Sequence, residues 1–326
     1  MAESLHRAGG TGDAPPLAVE ESRTAVLAAL LGNLALAILK GVSAALTGSA
    51  AMLAETFHSC ADTGNQALLF VGMRMARRPP DADHPFGHGK NVYFWSFVVS
   101  MMLFTLGGAF SIWEGLRKVM SPGAAQPMRW AFAVLAGAFV FESISLFIAT
   151  RSLRQVKGRR SLREYIAENR DPTLLTVLFE DTSALISLVL AGAGLALSEL
   201  TGGMVWDGVA SLAIGLLLVA VAVVLAVENH SLLMGESAPR DVLERIVRTA
   251  RADSAVARVL GLRTMHLGPE ALLVVLQVDF HDALSAADVE RATERLRGAV
   301  AEAAGQAGKR RLVVIESGAA VPAKAA

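Results

Sequence analysis

Long apolar runs, each of a length that crosses a bilayer as one helix, occupy most of the chain up to residue 234. A membrane-spanning helix needs about 20 mostly apolar residues. Six segments meet this requirement, at about Arg23–Leu46, Ser49–Met75, Val92–Leu116, Trp130–Thr150, Thr173–Leu200 and Gly208–Val227. The pattern therefore predicts a domain of six transmembrane helices over residues 23–234.

The periodicity changes after residue 234, and no run of membrane length remains. Two segments have the spacing of amphipathic helices, Asp241–Arg251 and Ser285–Ala304. Three have the character of strands, Val259–His266, Leu272–Phe280 and Arg311–Ser317. The order helix–strand–strand–helix–strand predicts a small cytosolic α+β domain over residues 235–318. Flexible tails are expected at residues 1–22 and 319–326.

Composition supports the membrane class, because 53% of the 326 residues are hydrophobic and the mean hydropathy is +0.46. Lys plus Arg equals Asp plus Glu, at 30 each. The net charge of zero gives no electrostatic signal for binding nucleic acid. The single cysteine, Cys60, excludes an intrachain disulfide framework and a multi-cysteine metal cage.

Basic residues are distributed unevenly among the connections and predict the orientation. They concentrate after the second and fourth spans, at Arg74, Arg77, Arg78 and Lys90, and at Arg151, Arg154, Lys157, Arg159, Arg160, Arg163 and Arg170. The connections after the first and fifth spans carry none. Both termini are therefore expected in the cytoplasm. Without an Arg-rich transit segment, a bacterial inner membrane is favoured.

The stretch "ETFHSCADTGNQ" places ionisable residues inside the second apolar span. On a helical wheel Glu55, His58, Asp62, Asn65 and Gln66 share an arc of about 100°, which predicts one polar stripe facing the bundle interior or a water-filled path. His58 and Asp62 are four residues apart, so they project from the same face and can share a divalent ion. The alternative is a stripe that only joins helices through hydrogen bonds.

The fifth span carries Glu180 and Asp181 in "TVLFEDTSALIS". Consecutive helical residues point about 100° apart, so the two carboxylates cannot face the same direction. Periodicity favours Glu180, because Ser183 and Ser187 lie on its side. At least one of the pair is expected to be a metal ligand, and the other is either a second ligand or the partner of a buried base.

The connection "PPDADHPFGHGK" after the second span contains Asp81, His84 and His88, which could meet around a turn at Pro85–Gly87. Two imidazoles and a carboxylate suit Zn²⁺ or a similar ion. The alternative is a solvated, charged connector.

Several of these segments resemble the cation diffusion facilitator transporters. "GSAAMLAETFHSCAD" is similar to that family's second-helix signature, "HPFGHGK" to its loop motif, "WDGVASLAIGLLL" to its sixth helix and "LLMGESAP" to the link that follows. The likeness runs from about Arg23 to Ser317. "HPFGHGK" together with "FEDTSA" resembles the branch related to the mitochondrial zinc transporter.

The resemblance implies a homodimer with six membrane helices and a ferredoxin-like cytosolic domain in each copy. It implies a transport site formed by His58, Asp62 and Asp181, and a loop metal site at Asp81, His84 and His88. Val177 stands where the family has a fourth donor, so the site has water there or is completed by Glu180 or Glu55. Leu276, Ile315 and Ser317 occupy the family's cytosolic ligand positions, so no dinuclear site is expected in that domain.

The expected function is export of a divalent cation from the cytoplasm in exchange for protons. Its partners are the metal, protons, the bilayer and a second copy of the chain. Zn²⁺ is the first choice, with Mn²⁺, Fe²⁺ and Co²⁺ open, and no catalytic cofactor is expected. One alternative is a membrane metal sensor or scaffold without flux. An intramembrane metalloprotease would need a motif such as H-E-x-x-H, which the sequence lacks.

Overall fold

Six long helices come first in the computed structural model, which describes residues 16–123, 129–157, 172–305 and 310–318. They are α1 (Pro16–Thr47), α2 (Ala50–Ala76), α3 (Asn91–Met120), α4 (Arg129–Lys157), α5 (Pro172–Thr201) and α6 (Val205–Met234). Helix α1 begins before the predicted Arg23 and α6 continues past the predicted Val227. The other helices begin and end within a few residues of the prediction, apart from the later ends of α3 and α4.

Four of these helices contain segments long and apolar enough to cross a membrane, by length and composition: Asn91–Met120, Arg129–Arg151, Leu178–Thr201 and Val205–Met234. Helix α1 contributes the shorter apolar segment Leu31–Thr47. Large apolar side chains point outward from these helices, among them Trp113, Phe147 and Val227. An exposed apolar belt of this kind is suited to lipid, so the protein is a helical membrane protein.

Glycines bring α3 and α6 into backbone contact. A Cβ atom added to Gly115 would lie 2.8 Å from the carbonyl oxygen of Gly208, and one added to Gly215 would lie 2.9 Å from that of Gly108. Small residues at a helix crossing allow this close approach inside a membrane. Residues Leu103–Ala109 of α3, which include Gly108, wind as a π-helix.

The start of α2 is fixed by a carboxylate from another helix. The Ser49 hydroxyl donates to Asp207 of α6 at 2.5 Å, and the backbone N–H groups of Ala50 and Ala51 donate to the same carboxylate at 2.6 and 3.2 Å. A helix N-terminus has free N–H groups and a partial positive charge, so a buried carboxylate stabilises it. Asp207 thereby holds the helix that carries the polar stripe.

The C-terminal part forms a small mixed sheet with two helices. Its elements are α7 (Arg240–Arg251), β1 (Val256–Gly268), β2 (Ala271–Phe280), α8 (Ala286–Ala303) and β3 (Arg310–Ser317). The sheet order is β1-β2-β3, with β1 antiparallel and β3 parallel to the central β2. Ile246, Leu276 and Leu296 pack in its core. The predicted order of helices and strands is confirmed.

This domain contacts the loop that follows α2. A Cβ atom on Gly89 would lie 2.5 Å from the backbone oxygen of Leu267, and one on Gly268 would lie 2.9 Å from the Cα atom of Gly89. The ammonium group of Lys90 donates to the backbone oxygen of Leu233 at 3.2 Å. The loop is therefore held between the end of α6 and the turn that joins β1 and β2.

Candidate metal centre

The polar stripe of α2 faces the interior of the helix bundle, as predicted. Glu55, His58 and Asn65 are completely buried and Asp62 is 9% exposed, whereas Cys60 is exposed on the opposite side. Buried polar groups usually have hydrogen-bond partners, so the partners of this stripe determine what each residue can do.

His58 and Asp62 approach each other within the stripe but leave atoms unused. Nε2 of His58 lies 3.7 Å from Oδ2 of Asp62, which is beyond hydrogen-bond distance. In the described part of the chain, both ring nitrogens of His58 and Oδ1 of Asp62 are buried without a hydrogen-bond partner. Free ligand atoms of an imidazole and a carboxylate, one helical turn apart, are of the kind that can bind a divalent metal ion.

Glu180 and Asp181 of α5 project toward different neighbours, as the helical wheel predicted. The carboxylate of Glu180 accepts a hydrogen bond from the Asn65 side chain of α2 at 2.7 Å. That of Asp181 accepts one from Ser145 of α4 at 3.1 Å. Both carboxylates lie close enough to Asp62 for their charges to interact. The side chain of Val177 lies outside the described residues.

Glu55 is engaged by a lysine from α1. The ammonium group of Lys40 lies 2.7 Å from a carboxylate oxygen of Glu55, and both side chains are fully buried. Lys40 also donates to the hydroxyl of Ser59 at 2.8 Å. This pairing assigns Lys40 a structural role and occupies one oxygen of Glu55, which weighs against Glu55 as a metal ligand. The pair joins residues on two helices, so periodicity within one segment gives no signal for it.

A further carboxylate reaches the same region from α4. Glu142 is buried, and its charge interacts with those of His58, Asp62 and Asp181. One glutamate in an apolar span gives no direction to its side chain, so the sequence alone does not show that Glu142 points into the bundle.

The loop after α2 brings together the three residues predicted there. Oδ1 of Asp81 lies 3.3 Å from Nδ1 of His84, and Oδ2 lies 2.9 Å from Nε2 of His88. Gly87, with φ of 90°, allows the turn between the two histidines. Hydrogen bonding to the His88 side chain, followed by the His84 backbone N–H, lowers the pKa of Asp81 to about 2. Asp81 is therefore a carboxylate at any physiological pH.

The distances between ligand atoms distinguish the loop group, Asp81, His84 and His88, from the residues of α2, α4 and α5. One ligand atom from each of Asp81, His84 and His88 lies within 4.8 Å of the others, and in the described ranges no other trio of His, Cys, Asp or Glu is so close. The loop group is thus already arranged for an ion. The residues of α2, α4 and α5 surround a common region but would have to close by a further movement to share one.

Comparison with known proteins gives the family. A model of the cation efflux transmembrane domain matches residues 26–234, which include both groups of residues. The chain belongs to the cation efflux family.

Relatives of this cation efflux protein include the mitochondrial proton-coupled zinc antiporter SLC30A9 of Xenopus laevis, 34% identical over 236 residues, or 72% of this chain and 42% of the relative. Metal tolerance protein C4 of Arabidopsis thaliana is 31% identical over 264 residues, 80% of this chain and 58% of the relative. Magnetosome protein MamB of Magnetospira is 26% identical over 238 residues, which is 72% of this chain and 75% of the relative. The chain thus matches only part of the length of the first two.

Proposed function

We propose that the protein exports a divalent metal ion from the cytoplasm in exchange for protons, with Zn²⁺ as the preferred substrate. The observation that carries the proposal is the set of buried, unpartnered ligand atoms on His58 and Asp62, facing two carboxylates of α5. One imidazole among carboxylates suits Zn²⁺. Two relatives, SLC30A9 from Xenopus laevis and from Mus musculus, are described as proton-coupled zinc antiporters, which supports the same substrate and coupling.

In this mechanism the metal binds His58, Asp62 and Asp181 near the middle of the membrane, with Glu180 beside them. Metal binding requires a neutral imidazole and ionised carboxylates, so each ion displaces protons. Protons arriving from the other side compete for the same atoms and release the metal. Exchange then follows from one shared site when α2 and α5 move relative to the other helices and open it to alternate sides.

The proposed architecture is a homodimer with six membrane spans and a ferredoxin-like cytosolic domain in each copy. Helix α2 is 27 residues long, enough to cross a bilayer, and its carboxylates Glu55 and Asp62 are buried rather than exposed to lipid. The basic residues Arg74, Arg77 and Arg78 at its end favour a cytoplasmic location for the loop and the sheet domain. The membrane is then the cell's inner membrane, with both termini in the cytoplasm.

The loop group of Asp81, His84 and His88 is proposed as a second metal site, on the cytoplasmic side. Two imidazoles and an ionised carboxylate supply three of the four ligands of a tetrahedral Zn²⁺ site. Water, or a ligand that arrives bound to the metal ion, supplies the fourth position.

Flux through proteoliposomes tests the transport proposal. A Zn²⁺ gradient across vesicles containing the protein should drive proton movement, and Asp62→Asn or Asp181→Asn should reduce that movement at least a hundredfold, because each removes a charged ligand. Glu199→Gln, on an exposed position of α5, is the matched control and should transport normally. Normal flux in Asp62→Asn would disprove the assigned site. Zn²⁺ binding without flux in the unmodified protein would favour a sensor.

A further inference from the structure

Glu142 is a buried carboxylate to which the proposed mechanism gives no role. It lies on α4 and is 6% exposed, whereas Val140, Ile144 and Phe147 on the same helix are each more than half exposed. The exposed apolar side chains define the outward face of α4. The carboxylate of Glu142 therefore points into the bundle.

A hydrogen bond shows which residue of α5 the inward face of α4 contacts. Ser145 follows Glu142 by three residues, so both lie on the same face of the helix. The hydroxyl of Ser145 donates to Oδ2 of Asp181 at 3.1 Å. The face that carries Glu142 thus abuts the residue of α5 that matches the family's ligand position, and the charge of Glu142 interacts with those of Asp62 and Asp181.

Charge compensation near these carboxylates is incomplete. Lys40, whose charge also interacts with Glu142, is already bonded to Glu55 and Ser59. In the ranges that the structure describes, no lysine or arginine forms an ion pair with Asp62, Asp181 or Glu142. Buried carboxylates without a counter-charge are costly inside a membrane, and a divalent cation placed among them would offset that cost.

We propose that Glu142 donates an oxygen ligand to the transported metal from α4, in place of the donor that α5 lacks at Val177. The proposal rests on the transport function above and deepens it. The binding site then draws on three helices, with one nitrogen from His58 and oxygens from Asp62, Asp181 and Glu142. Oxygen-rich ligand sets favour Mn²⁺ more than imidazole-rich sets do, so Glu142 also adjusts the choice between Zn²⁺ and Mn²⁺.

Calorimetric titration of the purified full-length protein in detergent tests this role. The His84→Ala/His88→Ala background removes the loop ligands, so that bound metal reports on the membrane site. In that background Glu142→Gln should weaken Zn²⁺ binding at least tenfold and Mn²⁺ binding at least fiftyfold, because Mn²⁺ depends more on oxygen donors. Glu114→Gln is the matched control, a buried glutamate of α3 paired with Arg117, and should leave both affinities unchanged.

A second substitution keeps the test decisive if Glu142→Gln does not fold. Glu142→His replaces an oxygen donor with a nitrogen donor and should raise the ratio of Zn²⁺ to Mn²⁺ affinity at least tenfold. A merely structural role would lower both affinities together and leave the ratio unchanged, which would overturn the proposal.

Asp62→Asn in the same background separates this inference from the transport proposal. Loss of Zn²⁺ binding in Asp62→Asn with unchanged binding in Glu142→Gln would overturn the role of Glu142 alone. Unchanged Zn²⁺ binding in Asp62→Asn would overturn both.

Discussion

Lys40 shows, at the scale of a single residue, how the polar stripe is divided between structure and chemistry. Its ammonium group bonds Glu55 and Ser59. His58 lies between those two along α2, and among the described residues neither of its ring nitrogens has a hydrogen-bond partner. The lysine therefore neutralises one end of the stripe. The remaining ligand atoms stay available for an ion.

Removing one member of the Lys40–Glu55 pair should destabilise the protein strongly. Lys40→Met leaves Glu55 as a buried, uncompensated charge, and breaking such a pair costs about 3–5 kcal/mol. The double variant Lys40→Met/Glu55→Gln should recover most of this loss, because neither charge remains. Equilibrium unfolding in mixed detergents measures the change in the free energy of unfolding. Additive effects of the two substitutions would contradict the pairing.

Asp81 of the loop site should stay ionised, and so available as a metal ligand, at every pH from 5 to 8. The lowered pKa of Asp81, about 2, means that the stability gained from its ionised form is present above the unfolded pKa near ~3.9 and is lost only as the pH falls through about 2. Metal binding requires an ionised carboxylate, so the contribution of Asp81 to affinity should not change between pH 8 and 5.

Zn²⁺ titrations at several pH values in an Asp62→Asn background check this prediction. Asp81→Asn should weaken binding by the same factor, at least tenfold, at every pH from 5 to 8, because the charge that it removes is present throughout that range. A factor that shrinks as the pH falls from 8 to 5 would show that the carboxylate itself titrates in this range.

At the scale of elements, the contact between α3 and α6 depends on the absence of side chains at its crossing. Gly115→Ala would place a methyl group 2.7 Å from the backbone nitrogen of Leu212 and 2.8 Å from the backbone oxygen of Gly208. Neither backbone atom can move without separating the helices. Overpacking of this kind costs about 1–3 kcal/mol, which equilibrium unfolding in mixed detergents would measure.

Gly137→Ala on α4 is the matched control for this substitution. A Cβ atom there would meet no atom of the described residues within 4 Å, and alanine is favoured over glycine in a helix by about 0.8–1.0 kcal/mol. Gly137→Ala should therefore be neutral or stabilising. Equal destabilisation by Gly115→Ala and Gly137→Ala would mean that the helix crossing does not limit the stability of the protein.

At the scale of the whole molecule, Gly89 and Gly268 join the loop to the sheet domain through backbone contact. Gly89→Ala would place a methyl group 2.5 Å from the backbone oxygen of Leu267, so the loop must move away from the β1–β2 turn. Transport should then fall several-fold, because the displaced loop continues directly from α2, which carries His58 and Asp62. Zn²⁺ affinity of the membrane site should stay within about twofold of the parent, because the substitution lies outside that site.

Hydrogen exchange at residues 265–270, together with proteoliposome flux, measures this effect. Exchange there should accelerate in Gly89→Ala. Gly298→Ala in α8, where a Cβ atom meets nothing within 4 Å, should change neither readout. Faster exchange with unaltered transport would show that the contact only stabilises the fold.

The sequence predicted the features that depend on the pattern within one segment, and it did not predict the contacts between segments. Apolar length and periodicity indicated the helices, the strands and the inward direction of His58 and Asp62, because each follows from spacing within one segment. Lys40 with Glu55 and Asn65 with Glu180 join different helices, and a single sequence does not specify which helices are neighbours. For the same reason the inward direction of Glu142 became clear only from the packing of α4.

The neutral Lys40–Glu55 pair has a consequence for how the membrane voltage acts on the proposed cycle. Because the lysine's charge is cancelled, a site with neither metal nor protons would have three negative charges, on Asp62, Asp181 and Glu142, and either one divalent ion or two protons would leave one. Moving one charge through a membrane potential changes the energy by about 2.3 kcal/mol per 100 mV. Exchange of two protons for each divalent ion would therefore move no net charge per turnover, whereas exchange of a single proton would make each turnover electrogenic.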